Sequence, residues 1–332
     1  MNNYMAEIIL PDDFSPLFRD VIYKINRGEG GKTPYDVEVL GPDEDLIGVK
    51  RFADAGEIDM NIAGYLKQAY FPEPVGNGGC ALLKDLGRSV RASLRIGGED
   101  CDGRVFAGSE ERLEAGKLLS KMACRRSLGQ GEYDELSFAV GKGTVSVIVE
   151  AEGRQPFSFT VDCTANKEIV TFRLDADNIA LRADASGSSF RELEYVSVTV
   201  YLEGRRIARV YYDIIKGARP GVRIAWLNSL GGVDYYTFDL LNSETVKVSR
   251  QGYISDKGYR GVSLKKEKIL EVTGGYLNRA MSEALSEVIS SRYVWMVNDS
   301  RANPLEVVSD SVVIRSDSLE CMKLLLKLHN AG

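Results

Sequence analysis

Imidazole is almost missing from this chain: among 332 residues there is one histidine, His329, close to the last residue. That excludes any metal site built on two histidines and any His–His acid/base pair. A Ser–His–Asp triad would have to form around the terminal segment, and no GxSxG elbow is present to supply the serine. Cysteine is also sparse. Cys80, Cys101, Cys124, Cys163 and Cys321 are scattered, odd in number and without a CxxC pair. They read as free thiols in a reducing compartment, the alternative being a disulfide from Cys80 to Cys101 or Cys124. Long apolar runs are lacking, so no segment is expected to insert in a membrane. Residues 1–13 have neither a basic start nor an apolar stretch, which predicts no signal peptide and a cytoplasmic place of synthesis. Basic residues are the minority, 42 Lys and Arg against 48 Asp and Glu, for a net charge of −6. A nucleic-acid partner usually demands a basic footprint, so none is expected.

What the sequence has in abundance is period-two alternation, the mark of half-buried strands. Val21, Tyr23 and Ile25 share one face of the segment 18–26. Tyr35–Leu40, Leu46–Phe52, Glu57–Ile62 and Ser89–Ile96 alternate in the same way, with Val90, Ala92, Leu94 and Ile96 inward. Ala63–Ala69 suggests one short helical turn and Ser109–Met122 a helix. From Tyr133 onward, strands are predicted at Leu136–Val140, Thr144–Glu150, Phe157–Cys163, Ile169–Leu174, Leu193–Leu202 and Arg206–Ile215. Their short, regular spacing suggests an immunoglobulin-like sandwich. The stretch Ala183–Ser189 reads as a polar loop, and Lys216–Gly221 as a linker.

Beyond the linker, strands are predicted at Val222–Leu227, Tyr235–Leu240, Thr245–Tyr253 and Val262–Val272. A helix over Tyr276–Ser290 follows the i, i+3, i+4 rule through Leu277, Met281, Ala284, Leu285 and Val288. Strands Tyr293–Val297, Leu305–Val308 and Val312–Ile314 follow it, and Ser318–His329 fits either a helix or a strand. The expected architecture is therefore mainly β: a sandwich over residues 1–128, an immunoglobulin-like sandwich over 129–217 and a small α+β domain over 218–332.

Motifs for chemistry are weak. Gly76-Asn77-Gly78-Gly79 and Gly141-Lys142-Gly143 match neither phosphate-binding pattern, GxxxxGK[ST] or GxGxxG, and read as ordinary loops. Asp43-Glu44-Asp45, Glu99-Asp100-Cys101-Asp102 and Asp175-Ala176-Asp177 are acidic clusters. The second comes nearest to a calcium loop but lacks its distal Glu. All three read as solvated turns, so no metal and no cofactor is expected. Paired carboxylates for glycoside hydrolysis cannot be pointed at.

The most distinctive stretch runs from Arg223 to Phe238. A strand carrying Trp226 enters the turn Asn228-Ser229-Leu230-Gly231-Gly232, and a second strand leaves it through Asp234, Tyr235, Tyr236 and Phe238. Two glycines here suggest a turn with positive φ. One face of so aromatic a hairpin is core. The other is a candidate assembly contact.

This stretch resembles the W-x-N-x-x-GG-x-D-x-Y-T-F signature of tail proteins from phages and prophages of the Bacteroides group. The likeness continues through the basic pair Val246–Lys268, with Lys247, Arg250, Lys257, Arg260, Lys265 and Lys266. It includes the helix Leu277–Ile289, the run Tyr293–Val297 and the segment Pro304–Ser311. Upstream, Ile47–Phe52 and Gly131–Phe138 are similar to phrases of the same proteins. The resemblance implies a structural component of a tail or baseplate, with other tail or baseplate proteins as partners, homo-oligomeric contacts and a final location in the virion. It implies no catalytic residues. Such an assembly would join copies head to tail through the region after Lys216, burying at least ~1,000 Å² per contact. The alternative reading is a surface sandwich protein that binds glycan or protein ligands, against which the lack of a leader weighs. A hydrolase comes third. A screen of ester, peptide and glycoside substrates is expected to be blank; turnover abolished by replacing a single acid or serine would overturn the structural reading.

Overall fold

The computed structural model describes residues 7–26, 34–53, 56–76, 78–84, 86–152, 154–165, 167–183, 193–217, 220–298, 301–314 and 320–329. The protein is mainly β, with five sheets and three short helices among these residues. Most of the alternating segments are strands with the expected faces inward. Val90, Ala92, Leu94 and Ile96, for example, are all buried along Ser89–Ile96.

The N-terminal region has two sheets. One joins Glu7–Ile9, Ile22–Asn26 and Glu57–Asn61. The other runs Ser15–Pro16, Arg104–Ala107, Ser89–Ile96, Tyr35–Leu40, Leu46–Phe52, with Glu99–Asp100 paired to Ser89–Ile96. The short helix Ala63–Ala69 buries Leu66 against their core.

Two further sheets enclose a second core. One is ordered Lys117–Leu118, Tyr133–Val140, Glu168–Asp175, Ala81–Lys84. The other is ordered Arg125–Gly129, Arg205–Ile215, Tyr195–Leu202, Gly143–Ala151, Phe157–Cys163. Phe138 and Phe172 from the first meet Val147, Val198 and Tyr212 from the second. Three strands of these two sheets begin before residue 129, so sheet pairing crosses the expected boundary at 128/129.

The expected helix over Ser109–Met122 is not formed. Gly116 takes φ +81°, and the backbone runs extended beside Tyr133–Val140, with Leu119 N donating to Ser137 O at 2.7 Å. Its leucines never had helical spacing, and a strand edge takes up its backbone groups instead. A helix does form at Ala176–Ala183, where Asp175 accepts from Asn178 N at 2.7 Å. Here the acidic cluster supplies a cap. The expected loop at Ala183–Ser189 lies, beyond Ala183, outside the described residues, as do residues 218 and 219 of the expected linker.

The C-terminal region forms one antiparallel sheet of seven strands. Its order is Val233–Phe238, Val222–Leu227, Val294–Asn298, Arg301–Val307, Glu320–His329, Gly258–Leu277, Leu240–Ser255. The ambiguous last segment is thus a strand over its described residues, burying Met322, Leu324 and Leu326. The segment Val312–Ile314 is not a strand. The helix is shorter than expected, Arg279–Ser290, because Tyr276 and Leu277 still pair with the last strand. Asn278 caps it, accepting from Met281 N at 2.9 Å. Ala284, Leu285 and Val288 seat the helix on the sheet against Trp226 and Phe238.

Trp226 is fully buried in that third core, flanked by Ile224 and Val294. Trp226→Ala is expected to cost ~3–5 kcal/mol of stability, as large aromatic truncations in cores do. Thermal or denaturant unfolding measures it, and a melting point within a degree of the parent would show that the indole contributes no packing.

Candidate functional site

The eight residues singled out on the hairpin come together, but they do so inside the molecule. Alternation along Val222–Leu227 sends Ile224 and Trp226 to the helix side, and Ala225 and Leu227 to the opposite side. On the paired strand, Phe238 faces the helix side, while Val233 and Tyr235 face the other. That other side is the core of the N-terminal sheets, where these residues meet Tyr23, Val37 and Leu94. The aromatic face read as a possible assembly contact is therefore covered by the chain itself.

The turn is built by Asn228. Its Oδ1 accepts from Leu230 N at 2.9 Å and Gly232 N at 3.2 Å, and its Nδ2 donates to Leu119 O at 3.0 Å and to Asp234 at 2.7 Å. Of the two glycines only Gly231 has positive φ, +85°. Gly232 is required for a different reason: a Cβ there would stand 1.9 Å from Leu119 O.

Around this turn three arginines meet a short acidic run. Glu132 faces Arg223 Nη1 at 3.2 Å, Asp134 faces Arg126 Nη1 at 3.2 Å and Glu135 faces Arg88 Nη2 at 2.6 Å. Glu135 also accepts from the Tyr235 hydroxyl, and Asp134 from the Tyr212 hydroxyl at 2.9 Å. Arg223 donates to Tyr133 O at 2.6 Å and stacks over the Tyr235 ring at 5.3 Å. Arg126 also donates to Ser120 Oγ at 2.6 Å and lies 3.8 Å from Asp234, which accepts from Ser120 as well. Burial by itself would lower the Arg88 and Arg126 guanidinium pKa values. The charges of Glu135 and Asp134 reverse this, so both arginines stay firmly protonated.

Three cations against four carboxylates leave one negative charge in excess. Asp234 is the carboxyl pushed upward, by desolvation opposed by Arg126, Ser120 and Asn228. A pKa raised by folding means the folded state holds that proton more tightly. Asp234 therefore favours the fold at acid pH and costs stability as pH rises through its raised value. Burial, then the charge of Glu135, pushes the Tyr133 phenol up to about 12. This geometry joins the sheets through buried ion pairs. The depression beside the turn, touching Asn228, Ser229, Glu287 and Arg292, measures about 20 Å³, room for one water.

The other candidates resolve similarly. The loop at Gly76, Gly78 and Gly79, whose residue 77 lies outside the described residues, turns its carbonyls to the Arg173 guanidinium. Asp100 pairs with Arg95 in a hairpin. The five cysteines are free thiols. No group of three or more His, Cys, Asp or Glu is arranged for a metal ion among the described residues. Among them, too, no helix is long and apolar enough to cross a membrane.

The feature the hairpin reading passed over lies immediately downstream. Leu240–Ser255 and Gly258–Leu277 pair as one long antiparallel ribbon, well beyond the expected ranges 245–253 and 262–272. The last strand supports it only from Glu267 onward. Past that point eight residue pairs project, from Val248↔Lys266 to Ser255↔Gly258, roughly 26 Å at ~3.3 Å per residue. Residues 246–254 and 258–266 are exposed throughout. Nine of the twenty-one exposed large hydrophobic side chains among the described residues fall between Leu240 and Leu264, Ile254 at 85% and Val262 at 73% exposure. The signal was present in the sequence as the basic pair Val246–Lys268. What hid its meaning was that alternation shows a strand but not whether anything covers it.

No protein-family model matches the chain, and no curated protein matches it. Arg88→Met is expected to destabilise by ~3–5 kcal/mol, because Glu135 would be left buried without its cation. The double variant Arg88→Met/Glu135→Gln should recover part of that loss, giving a coupling energy of ~1–3 kcal/mol in a double-mutant cycle of denaturant unfolding. Strict additivity would show that the pair does not hold the junction.

Proposed function

We propose that the protein is a structural component of a phage or prophage tail or baseplate, acting through protein–protein assembly, with its final place in the virion. In this reading the central sandwich is of immunoglobulin-like kind, and no catalytic residue is assigned. The observation that carries it is the ribbon of residues 240–277. A two-stranded hairpin alone in water is marginally stable, and a strip that leaves seven large apolar side chains exposed between Val246 and Leu264 marks an interaction site. The protein buries Trp226, Tyr235 and Phe238 of its signature hairpin and half-buries Tyr236, while the adjacent ribbon is exposed over residues 246–254 and 258–266. The resemblance of Trp226–Phe238 and the pieces after it to tail proteins supplies the kind of assembly.

The docking element is therefore the ribbon and not the whole region after Lys216. Removing that whole region would strip Ala225, Leu227, Tyr235 and Trp295 from the N-terminal core, so such a truncation would report misfolding. A sharper test replaces residues 247–267 by an Asn-Gly turn between Val246 and Lys268. The shortened chain is expected to melt within about 3 °C of the parent, as removal of surface groups that support no core should, and to be absent from assembled particles. Normal incorporation would overturn the reading.

A further inference from the structure

We infer that the ribbon of one copy docks on the acidic body of a second copy, so that like chains join head to tail. The inference rests on the assembly reading above and names its partner.

The ribbon is opposite in charge to the rest of the protein. Between Val246 and Lys268 stand seven Lys and Arg against two Asp and Glu, a net +5 in a chain of net −6, so the remaining residues carry −11. Lys265 and Lys268 find Glu267 and Glu244. Among the described residues Lys247, Arg250, Lys257, Arg260 and Lys266 make no ion pair. Five unspent cations on a protein of acidic surface are complementary to that same surface.

The two faces of the ribbon also differ. Cross-strand partners point to one side. Val248↔Lys266, Arg250↔Leu264 and Ile254↔Tyr259 therefore form one face, joined by Val246. The other carries Lys247, Ser249, Gln251, Arg260, Ser263 and Lys265, with Tyr253 beside Arg260 as its exposed aromatic. The first face alternates apolar and cationic groups, suited to a protein surface that is itself mixed apolar and acidic. Arg250 and Lys266 in its middle are poorly suited to lipid acyl chains. At Gly252 a Cβ would stand 2.2 Å from Arg260 O and 2.6 Å from the Tyr259 ring, so the partner strand and the ring close over the glycine.

Charge also fixes the symmetry of the contact. Two ribbons laid against each other would bring +5 against +5 within a Debye length at low salt, where the repulsion is only weakly screened. A ribbon laid on a body brings +5 toward −11. The contact is therefore between different surfaces on the two copies, which leaves each copy one free ribbon and one free body for the next.

Sedimentation velocity of the full chain at ~10–100 µM tests this. The parent is expected to self-associate in 0.05 M NaCl and to do so at least tenfold more weakly in 0.5 M. The variant Lys247→Glu/Arg250→Glu/Lys265→Glu/Lys266→Glu, with circular dichroism unchanged, is expected to remain a monomer alone. Mixed with the parent, it should still accept the parent's ribbon on its intact body, giving a mixed species that terminates growth. Several outcomes overturn the inference: a parent that stays monomeric in both salts, a variant that associates as the parent does, or a mixture that yields no hybrid. Tighter binding of the parent to phosphatidylglycerol vesicles or to a 30-bp DNA duplex than to itself would overturn it as well, by giving the ribbon another occupant. A monomeric parent whose ribbon is still needed for entry into particles would remove the second copy as partner while keeping the assembly reading. Normal entry without the ribbon would remove both.

Discussion

The fold depends on one short acidic run meeting three arginines out of water. Glu132, Asp134 and Glu135 lie within four residues, and each takes a different arginine, Arg126 from eight residues before Asp134 and the other two from distant parts of the chain. Arg88 comes from the N-terminal sheets, Arg126 from the strand entering the central sandwich and Arg223 from the C-terminal sheet. The strand that begins at Tyr133 is buried on both faces. Its even positions, Leu136, Phe138 and Val140, enter the sandwich core, and its odd positions meet the other two regions. Replacing such buried pairs by apolar side chains can leave stability unchanged or raise it. What the pairs add is specificity: a slip of one residue would turn every acid toward the wrong arginine, or toward none.

That junction explains why the aromatic hairpin is internal. Tyr235 donates to Glu135, Arg223 stacks on Tyr235, and Asn228 and Asp234 reach Ser120 and Leu119. The hairpin is bonded to the central strand on one side and packed under the helix Arg279–Ser290 on the other. A sheet with both faces covered has only its ends left to offer. At one end lies Val233–Phe238, and at the other the ribbon begins.

Strands with one wet face were legible in the sequence, because alternation reports one-sided burial directly. Ser89–Ile96 and the positions Val21, Tyr23 and Ile25 are examples. The doubly buried strands were legible as strands but not as a junction. Tyr133–Val140 mixes Glu, Asp and Ser with Leu and Phe, and nothing in one sequence says that Glu135 faces an arginine 47 positions away, or that Glu132 just before the strand faces one 91 positions away. The segment Ser109–Met122 misled because clustered leucines and a serine resemble a helix start, although its hydrogen bonds go to a neighbouring strand. The ambiguity at Ser318–His329 was real. Leu324, Leu326 and Leu328 satisfy a strand, and the edges of Gly258–Leu277 and Arg301–Val307 on its two sides decide it.

The ribbon and the junction divide the molecule's electrostatics between them. Inside, seven charged groups of the junction nearly cancel, and the surplus falls on Asp234, whose carboxyl responds by holding its proton more tightly. Outside, positive charge is concentrated on the one element that no core supports. A ribbon without a core is held by its backbone ladder, so its stability is local and low compared with that of the body. Changes in its side chains alter what it can bind and leave the three cores as they are. The protein thus keeps its folding interactions and its exposed contact surface on separate residues, and a sequence can vary the second without disturbing the first.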